Sequence, residues 1–478
     1  MSWKSKKCMR EVVLKKKFKE ENSMFKKKVT ILVVLTVIFC LTFGIVQGFA
    51  EEQKKEVKIT ICALRDISTE TALKILKESD FEERTGITVE ANLLEFAPMV
   101  QAHKMDFMSG AGNYDIVAID QPSLGLYVTS DWVAALDFYL NDKSLPSIDR
   151  EDLIPALLEP CGIWEGSLYA IPMGSYGNLF GYRKDLLKEA GFVDSAGNPK
   201  PPATFKEFYE YAKELNNPPE VYGTALYAHK GEYLSYDMGS YLWSWGAGFI
   251  NGSDVNLEDW PKYHVAWDTP QGIEALKFYV RFYREGLVPK DSLIYDHTRF
   301  TEAFQVGKVA MGLMIGEAVG EPMENPDKSR VRGLMDYAPM PGKLRADGSI
   351  APPIPHIGAH SFAINKDSKN TKEAFMVLEF LTGKDIAKEY ILRGGKPFRF
   401  SHFFEEAYEK YPHMKATRNN MPTGKCRPNI PEYPAVSEIF STALHGVLAG
   451  EGDVEEIMKA AAKKANEEIL KPSYPEYY

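Results

Sequence analysis

Between Val57 and Asp120, short apolar runs alternate with amphipathic stretches, and this alternation constrains the fold more than any other feature of the chain. Val57-Lys-Ile-Thr-Ile-Cys-Ala-Leu64 reads as a strand, and Ser68 to Arg84 as a helix opened by Ser/Thr and stopped near Gly86. Ile87 to Leu94 predicts a second strand, Ala97 to Met108 a second helix, and Asp115 to Ile119 a short apolar third strand. The β-α-β-α-β order implies an α/β domain with a parallel sheet covered by helices on both faces. Ligands of such sheets sit beyond the carboxyl ends of the strands. Asp66, Asp120 and Gln121, each just past a strand end, are therefore candidate contacts. The same positions also suit the capping of a helix or turn.

Three later helices are well marked. Thr204 and Glu207 form a capping box ahead of Phe205, Phe208, Ala212 and Leu215. Thr269-Pro270 opens the stripe Ile273, Leu276, Val280, Tyr283 and Leu287, and Asn370 with Glu373 precedes Ala374, Val377, Leu378 and Leu381. These stripes are core faces. Residues 222–267 are dense in aromatics, most of them expected in the core because large rings are usually buried. The remainder are candidate platforms: a carbohydrate cleft needs rings for the C–H faces of a sugar and Asp, Glu or Asn for its hydroxyl rim. Glu232-Tyr233-Leu-Ser-Tyr236 and Tyr241-Leu-Trp243-Ser-Trp245 combine these types at close spacing.

Charge is unevenly distributed. Residues 1–50 carry eleven Lys/Arg against three Glu, which leaves the remainder with 46 basic and 63 acidic side chains, a formal −17. Such a body repels phosphate backbones and argues against nucleic acid as a partner. Met24-Phe-Lys-Lys-Lys28, the apolar stretch Val29–Val46 and Gly48-Phe-Ala50 have the layout of a secretory signal peptide with cleavage after Ala50. Residues 1–23 read as an extension ahead of a start at Met24. An uncleaved anchor is the alternative, since the apolar stretch is just long enough to span a bilayer. Cys40 belongs to the apolar core of the signal. Cys62, Cys161 and Cys426 remain, an odd number that permits one bridge with one thiol left over.

Motifs for catalysis are missing from the sequence. It holds no Gly-x-Ser-x-Gly elbow, phosphate loop, His-Glu-x-x-His or Cys-x-x-Cys pair. Gly110-Ala-Gly112 lies between a helix and a strand, the reverse of the dinucleotide arrangement, and reads as a turn. His356 and His360 are four apart, but Pro355 and Gly358 oppose the helix that would place them on one face. No metal or cofactor is expected. Asp66 with Asp120 would serve glycoside hydrolysis only at a suitable separation.

Several segments together resemble the extracellular solute-binding proteins of bacterial ABC importers, in the sugar-binding branch of maltose-binding type. They are Phe81-Glu-Glu-Arg-Thr-Gly-Ile-Thr-Val89, Phe107–Asp120, Leu168–Met173 with Leu179–Leu187, Pro201–Phe205, Phe304–Met311, Ala338–Pro341, Ala363–Lys369 and Pro428–Pro431, in family order over residues 57–465. The resemblance implies a two-lobed periplasmic binding protein fold of type II, with discontinuous lobes joined by hinge crossings. Its crossings fall near Pro172–Asn178, Tyr337–Pro341 and Thr382–Ile386. On this reading 51–173 and 340–383 form lobe I, and 174–339 and 384–478 form lobe II.

The resemblance also implies ligand contacts at Asp66, Asp120 and Gln121 on the first lobe and at Tyr176, Asn178, Glu232, Tyr236 and Glu317 on the second. Trp243 and Trp245 are implied stacking rings, and Arg399 falls where relatives often carry an arginine near the cleft. Where many relatives have Gly-Gly-Trp, this chain has Gly358-Ala359-His360, so an imidazole that hydrogen-bonds replaces a stacking ring. The function implied is capture of a carbohydrate or sugar alcohol, without catalysis, by an exported monomer that hands it to membrane permease subunits. The competing readings are a secreted glycoside hydrolase and a binding protein for a non-sugar such as a polyamine or metal chelate.

Overall fold

β1 (Val57–Leu64) pairs in parallel with β2 (Ile87–Leu94) on one side and with β3 (Ile116–Asp120) on the other. The computed structural model that shows this describes residues 56–478 and, before them, Met24 alone; the side chain of Glu317 is also outside the described residues. The signal segment and the cleavage expected after Ala50 therefore lie outside them. No helix among the described residues is long and apolar enough to cross a membrane.

The helix expected from Ser68 to Arg84 is two helices, α1 (Ile67–Glu78) and α2 (Phe81–Thr85). The break has a local cause. Ser79 Oγ donates to Leu76 O and accepts from Phe81 N, giving the backbone an alternative to the helical bonds. Gly86, at φ 74°, closes α2. α3 (Phe96–Ser109) follows and leads through the Gly110–Gly112 turn into β3.

After α4 (Pro155–Gly162) and a small ribbon of β4 (Ile163–Trp164) and β5 (Ser167–Leu168), the chain enters β6 (Ala170–Arg183). This 14-residue strand belongs to both halves of the molecule. Its first part pairs antiparallel with β9 (Ile357–Ile364), and its second part pairs with β7 (Met311–Ile315) and β8 (Met335–Ala338). The sheet order is β2-β1-β3-β9-β6-β7, with β8 also on β6. Register shifts between Pro172 and Gly174. A Cβ at Gly174 would stand 2.6 Å from Ser68 Oγ, so only glycine lets α1 lie this close to the strand.

Helices α5 (Phe205–Glu214), α6 (Glu232–Ser244) and α7 (Pro270–Arg284) pack on the second part of the sheet. Thr204 caps α5 as expected, accepting from Glu207 N. Its apolar face buries Phe205 and Phe208, each stabilising by roughly 1.5–3 kcal/mol. α8 (Thr371–Thr382) and α9 (Ala387–Leu392) join the first core, whereas α10 (Tyr433–Leu448) and α11 (Val454–Ala465) join the second.

Met340 and Ile354 pack with the second core, because Gly342 is held on α5's approach by Gly342 N→Ala203 O and Phe205 N→Gly342 O. β9 then packs in the first core through Ile357, Ala359, Phe362 and Ile364. Ile386, Tyr390, Ile391, Phe398, Met414 and Met421 also belong to the first core, anchored by Tyr390, whose hydroxyl donates to Met173 O at 2.7 Å. Met421 packs in the first core and Tyr433 in the second, so the chain passes from one to the other between them.

Candidate functional site

A cavity of about 350 Å³ opens where β1, β3, β6, β9 and the amino end of α6 converge. Asp66 and Asp120 reach it for the reason the strand order predicts, and both also cap. Asp66 accepts from Thr69 N at 2.9 Å at the start of α1, and Asp120 from Gln121 N at 3.0 Å. The two roles are compatible, since a carboxylate has lone pairs left after one capping bond.

Beneath the cavity lies a buried polar network. Tyr176, on β6 at the passage between halves, donates its hydroxyl to Asp120 in a short bond. Its ring fits against Gly358, where a Cβ would come within 2.5 Å of it. Arg427 enters from the 421–433 passage and places Nη2 3.1 Å from Asp120 Oδ2 and 2.9 Å from Tyr176 Oη. Its Nη1 donates to Glu232, the first residue of α6, in a second ion pair, this one short. The positive end of the helix favours a carboxylate at this position. Tyr236, one turn on, holds its ring centroid 5.8 Å from the guanidinium carbon and 5.7 Å from the Tyr176 ring.

Burial alone would raise the Asp120 carboxyl, but Arg427, His360 and the Tyr176 hydroxyl outweigh it and hold the group below the usual carboxylate range. Burial likewise opposes the Arg427 charge, and Asp120, Tyr176 and Glu232 overcome it, so the guanidinium stays protonated. Burial and Asp120 together push the Tyr176 hydroxyl up, keeping it a donor. Burial, with Arg427 adding to it, pulls His356 well down and keeps that ring neutral between Tyr236 and Trp243.

Of the residues expected from sequence, Asp66, Asp120, Tyr176, Glu232, Tyr236 and His360 line the cavity. His360 sits on β9 opposite Asp120 and Gly174. Gln121 lies behind it, donating from Nε2 to Arg427 O at 2.9 Å. Asn178 is also behind the lining, bonded to Ser240 Oγ and accepting at its backbone oxygen from Asn420. Trp243 and Trp245 are core rings. Trp243 donates to Asp254 Oδ2 at 2.7 Å, and Trp245 packs on Phe205 and Phe278. Arg399 is fully buried in the first core, donating to Thr382 O at 2.6 Å and Asp149 O at 2.9 Å. The side chain of Glu317 lies outside the described residues.

Sequence reasoning missed Arg427, Lys396, Glu95 and His297 among the lining groups. Glu95 follows β2 directly and was open to the same strand-end rule that selects Asp66. Arg427 stands one residue before Pro428-Asn-Ile-Pro431, which carries the resemblance, but no local pattern connects it with Asp120.

Residues 66–388 match the sequence model of a family described as bacterial extracellular solute-binding protein. A binding protein of Brucella abortus is 26% identical over 415 residues, covering 86% of this chain and 92% of its own length. An ABC transporter solute-binding protein from Agrobacterium radiobacter, solved with ribitol, superposes with TM-score 0.74 at 24% identity, covering 86% of this chain and 99% of its own. Another from Agrobacterium vitis, solved with D-mannitol, gives TM-score 0.71 at 23% identity, covering 87% and 99%. The fold is thus the two-lobed α/β fold of type II periplasmic binding proteins.

Proposed function

The chain belongs to the bacterial extracellular solute-binding proteins, and from that premise we propose that it captures a small sugar alcohol or monosaccharide in its interlobe cavity for an ABC importer. The observation that carries this reading is the network Asp120–Arg427–Glu232, which joins a strand end of the first core to a helix start of the second at the cavity floor. Fixed carboxylates, a guanidinium and the Tyr236 ring offer a polyol acceptors, donors and an apolar face together. A cavity of about 350 Å³ is at the small end of ligand pockets, suiting one sugar unit better than a long oligosaccharide.

The same network weighs against the two other readings. A glycoside hydrolase needs one carboxylic acid raised in pKa to protonate the leaving oxygen, whereas Arg427 holds Asp120 in the opposite direction. A polyamine would seek carboxylates at the cavity floor, and there the internal arginine already engages Asp120 and Glu232 and sets its own positive charge against a cationic ligand. The ligand leaves unchanged in this reading. Contacts come from Asp66, Asp120 and His360 on one lobe and from Glu232 and Tyr236 on the other, with Arg427 between them. A ligand that touches both sides gains its full contacts only when the lobes approach, so it favours the closed form.

We propose that residues up to the middle of β6 and 357–421 form lobe I, that the rest forms lobe II, and that β6, the approach to β9 and 421–433 are the hinge passages. The protein acts as an exported monomer freed after Ala50, with membrane permease subunits as partners and no nucleic acid. The test is calorimetry and thermal shift with ribitol, D-mannitol and common hexoses, with chromatography of the sugar afterwards. Saturable binding with the sugar recovered intact is expected. Product formation, or no binding by any alditol or hexose, overturns the reading.

A further inference from the structure

Two of the three cysteines outside the N-terminal segment come together beside the arginine of the cavity floor. Cys161 closes α4 in the first core, with its sulfur accepting from Ala359 N on β9. Cys426 follows Lys425, whose oxygen accepts from Ile357 N on the same strand at 2.8 Å. Cys426 packs against the first core that holds Cys161, where the two side chains act on each other. Side chains on either side fix this approach: Asn429 Nδ2 donates to Pro160 O at 3.1 Å, Gly125 N donates to Asn429 Oδ1, and Gln121 Nε2 donates to Arg427 O. Cys62 is elsewhere, on β1, with β3 between it and β9.

We infer that Cys161 and Cys426 form a disulfide in the exported protein, fastening α4 to the 421–433 passage one residue before Arg427. Secreted proteins meet oxidising conditions in which such pairs close. Exposure sets the order of events, since Cys161 is buried and Cys426 half-buried. The Cys426 thiolate attacks a low-molecular-weight disulfide such as oxidised glutathione, forming a mixed disulfide and expelling one glutathione thiolate. Cys161 then loses its proton, and its sulfur attacks Cys426 Sγ and expels the second thiolate. The protein thiols lose two electrons and two protons, and one glutathione disulfide becomes two thiols. Burial and the neighbouring Cys426 hold the Cys161 proton tightly, which makes the second step the slow one. The consequence is positional. A covalent tie at 426 limits how far the passage, and Arg427 with it, can swing relative to the first core.

The experiment uses the full chain purified from an oxidising compartment, equilibrated with oxidised glutathione, alkylated in denaturant and digested without reductant. Mass spectrometry is expected to find one peptide pair joining Cys161 to Cys426, two hydrogens lighter than the sum, with Cys62 alkylated. C426S should yield no linked pair, and the wild-type protein should melt several degrees lower after reduction while C426S melts the same with or without reductant. Alkylation of both Cys161 and Cys426 in the wild-type protein, or a link to Cys62, would overturn the inference. Neither outcome depends on the identity of the ligand.

Discussion

Among the described residues two arginines are buried, each beside an aspartate, and they do different things. Arg399 is held within one core: its donors go to the backbone oxygens of Thr382 and Asp149 and, at 3.5 Å, to Asp152. Arg427 is held between cores, its two amino groups divided between Asp120 and Glu232. Burial outweighs the partners of Arg399 and lowers its pKa, whereas the partners of Arg427 outweigh burial and raise it. A buried charge bound to its own lobe is a fastener. One whose partners sit on facing surfaces is placed where a change in lobe spacing alters its energy. Burial of an arginine thus says little about function until the location of its partners is known.

The comparison can be broken most directly at Arg427. R427M leaves Asp120 and Glu232 without their counter-charge and should destabilise the protein by about 3–5 kcal/mol, read by denaturant unfolding. The same variant should weaken alditol binding by roughly 2–3 kcal/mol, or about 30- to 140-fold, in calorimetry. R399M should cost about 1.5–3 kcal/mol of stability, because Asp152 keeps its bonds from Ser401 N and Oγ, and should leave the dissociation constant unchanged. A large loss of affinity in R399M, with none in R427M, would reverse the assignment.

Two smaller effects sharpen the contrast. The Asp120 carboxyl is depressed in the folded protein, so its contribution is complete above the unfolded pKa of about 3.9 and is lost as pH falls towards the folded value. Acid titration of D120N should therefore show a shallower loss of stability below about pH 4 than the wild type. E232Q keeps the shape of the side chain and removes its charge. Because Glu232 is partly exposed, the expected cost is about 1 kcal/mol of stability, with a fall in affinity of about fivefold.

The first half of the sheet was legible because its signals are local. Val57–Leu64 and Ile87–Leu94 are the strands observed, and Asp66 and Asp120 follow from the rule that places ligands beyond strand ends. Thr204 caps as its motif predicts. Glu232 and Tyr236 share one helical face at spacing four, and that face does meet the cavity. The helix break at Ser79 was missed because a serine inside a favourable helical stretch reads as tolerated until its hydroxyl is seen bonding to the backbone. Trp243 and Trp245 lie in the same aromatic segment and fill the second core. A ring packed in a core and a ring stacked on sugar carry the same composition signal.

The order of strands and helices, the polar strand ends and the resemblance that spans the chain were set by the sequence itself, because each rests on periodicity and neighbours a few positions apart. Where the chain last passes between the cores, and that Arg427 meets Asp120 across 307 residues, was decided by tertiary structure alone. The physical reason is that a guanidinium in a short Pro-flanked segment has no local preference for either core. Only the packing of Tyr390, Phe398 and Met421 against the first core, and of Tyr433 in the second, brings it to rest between two carboxylates.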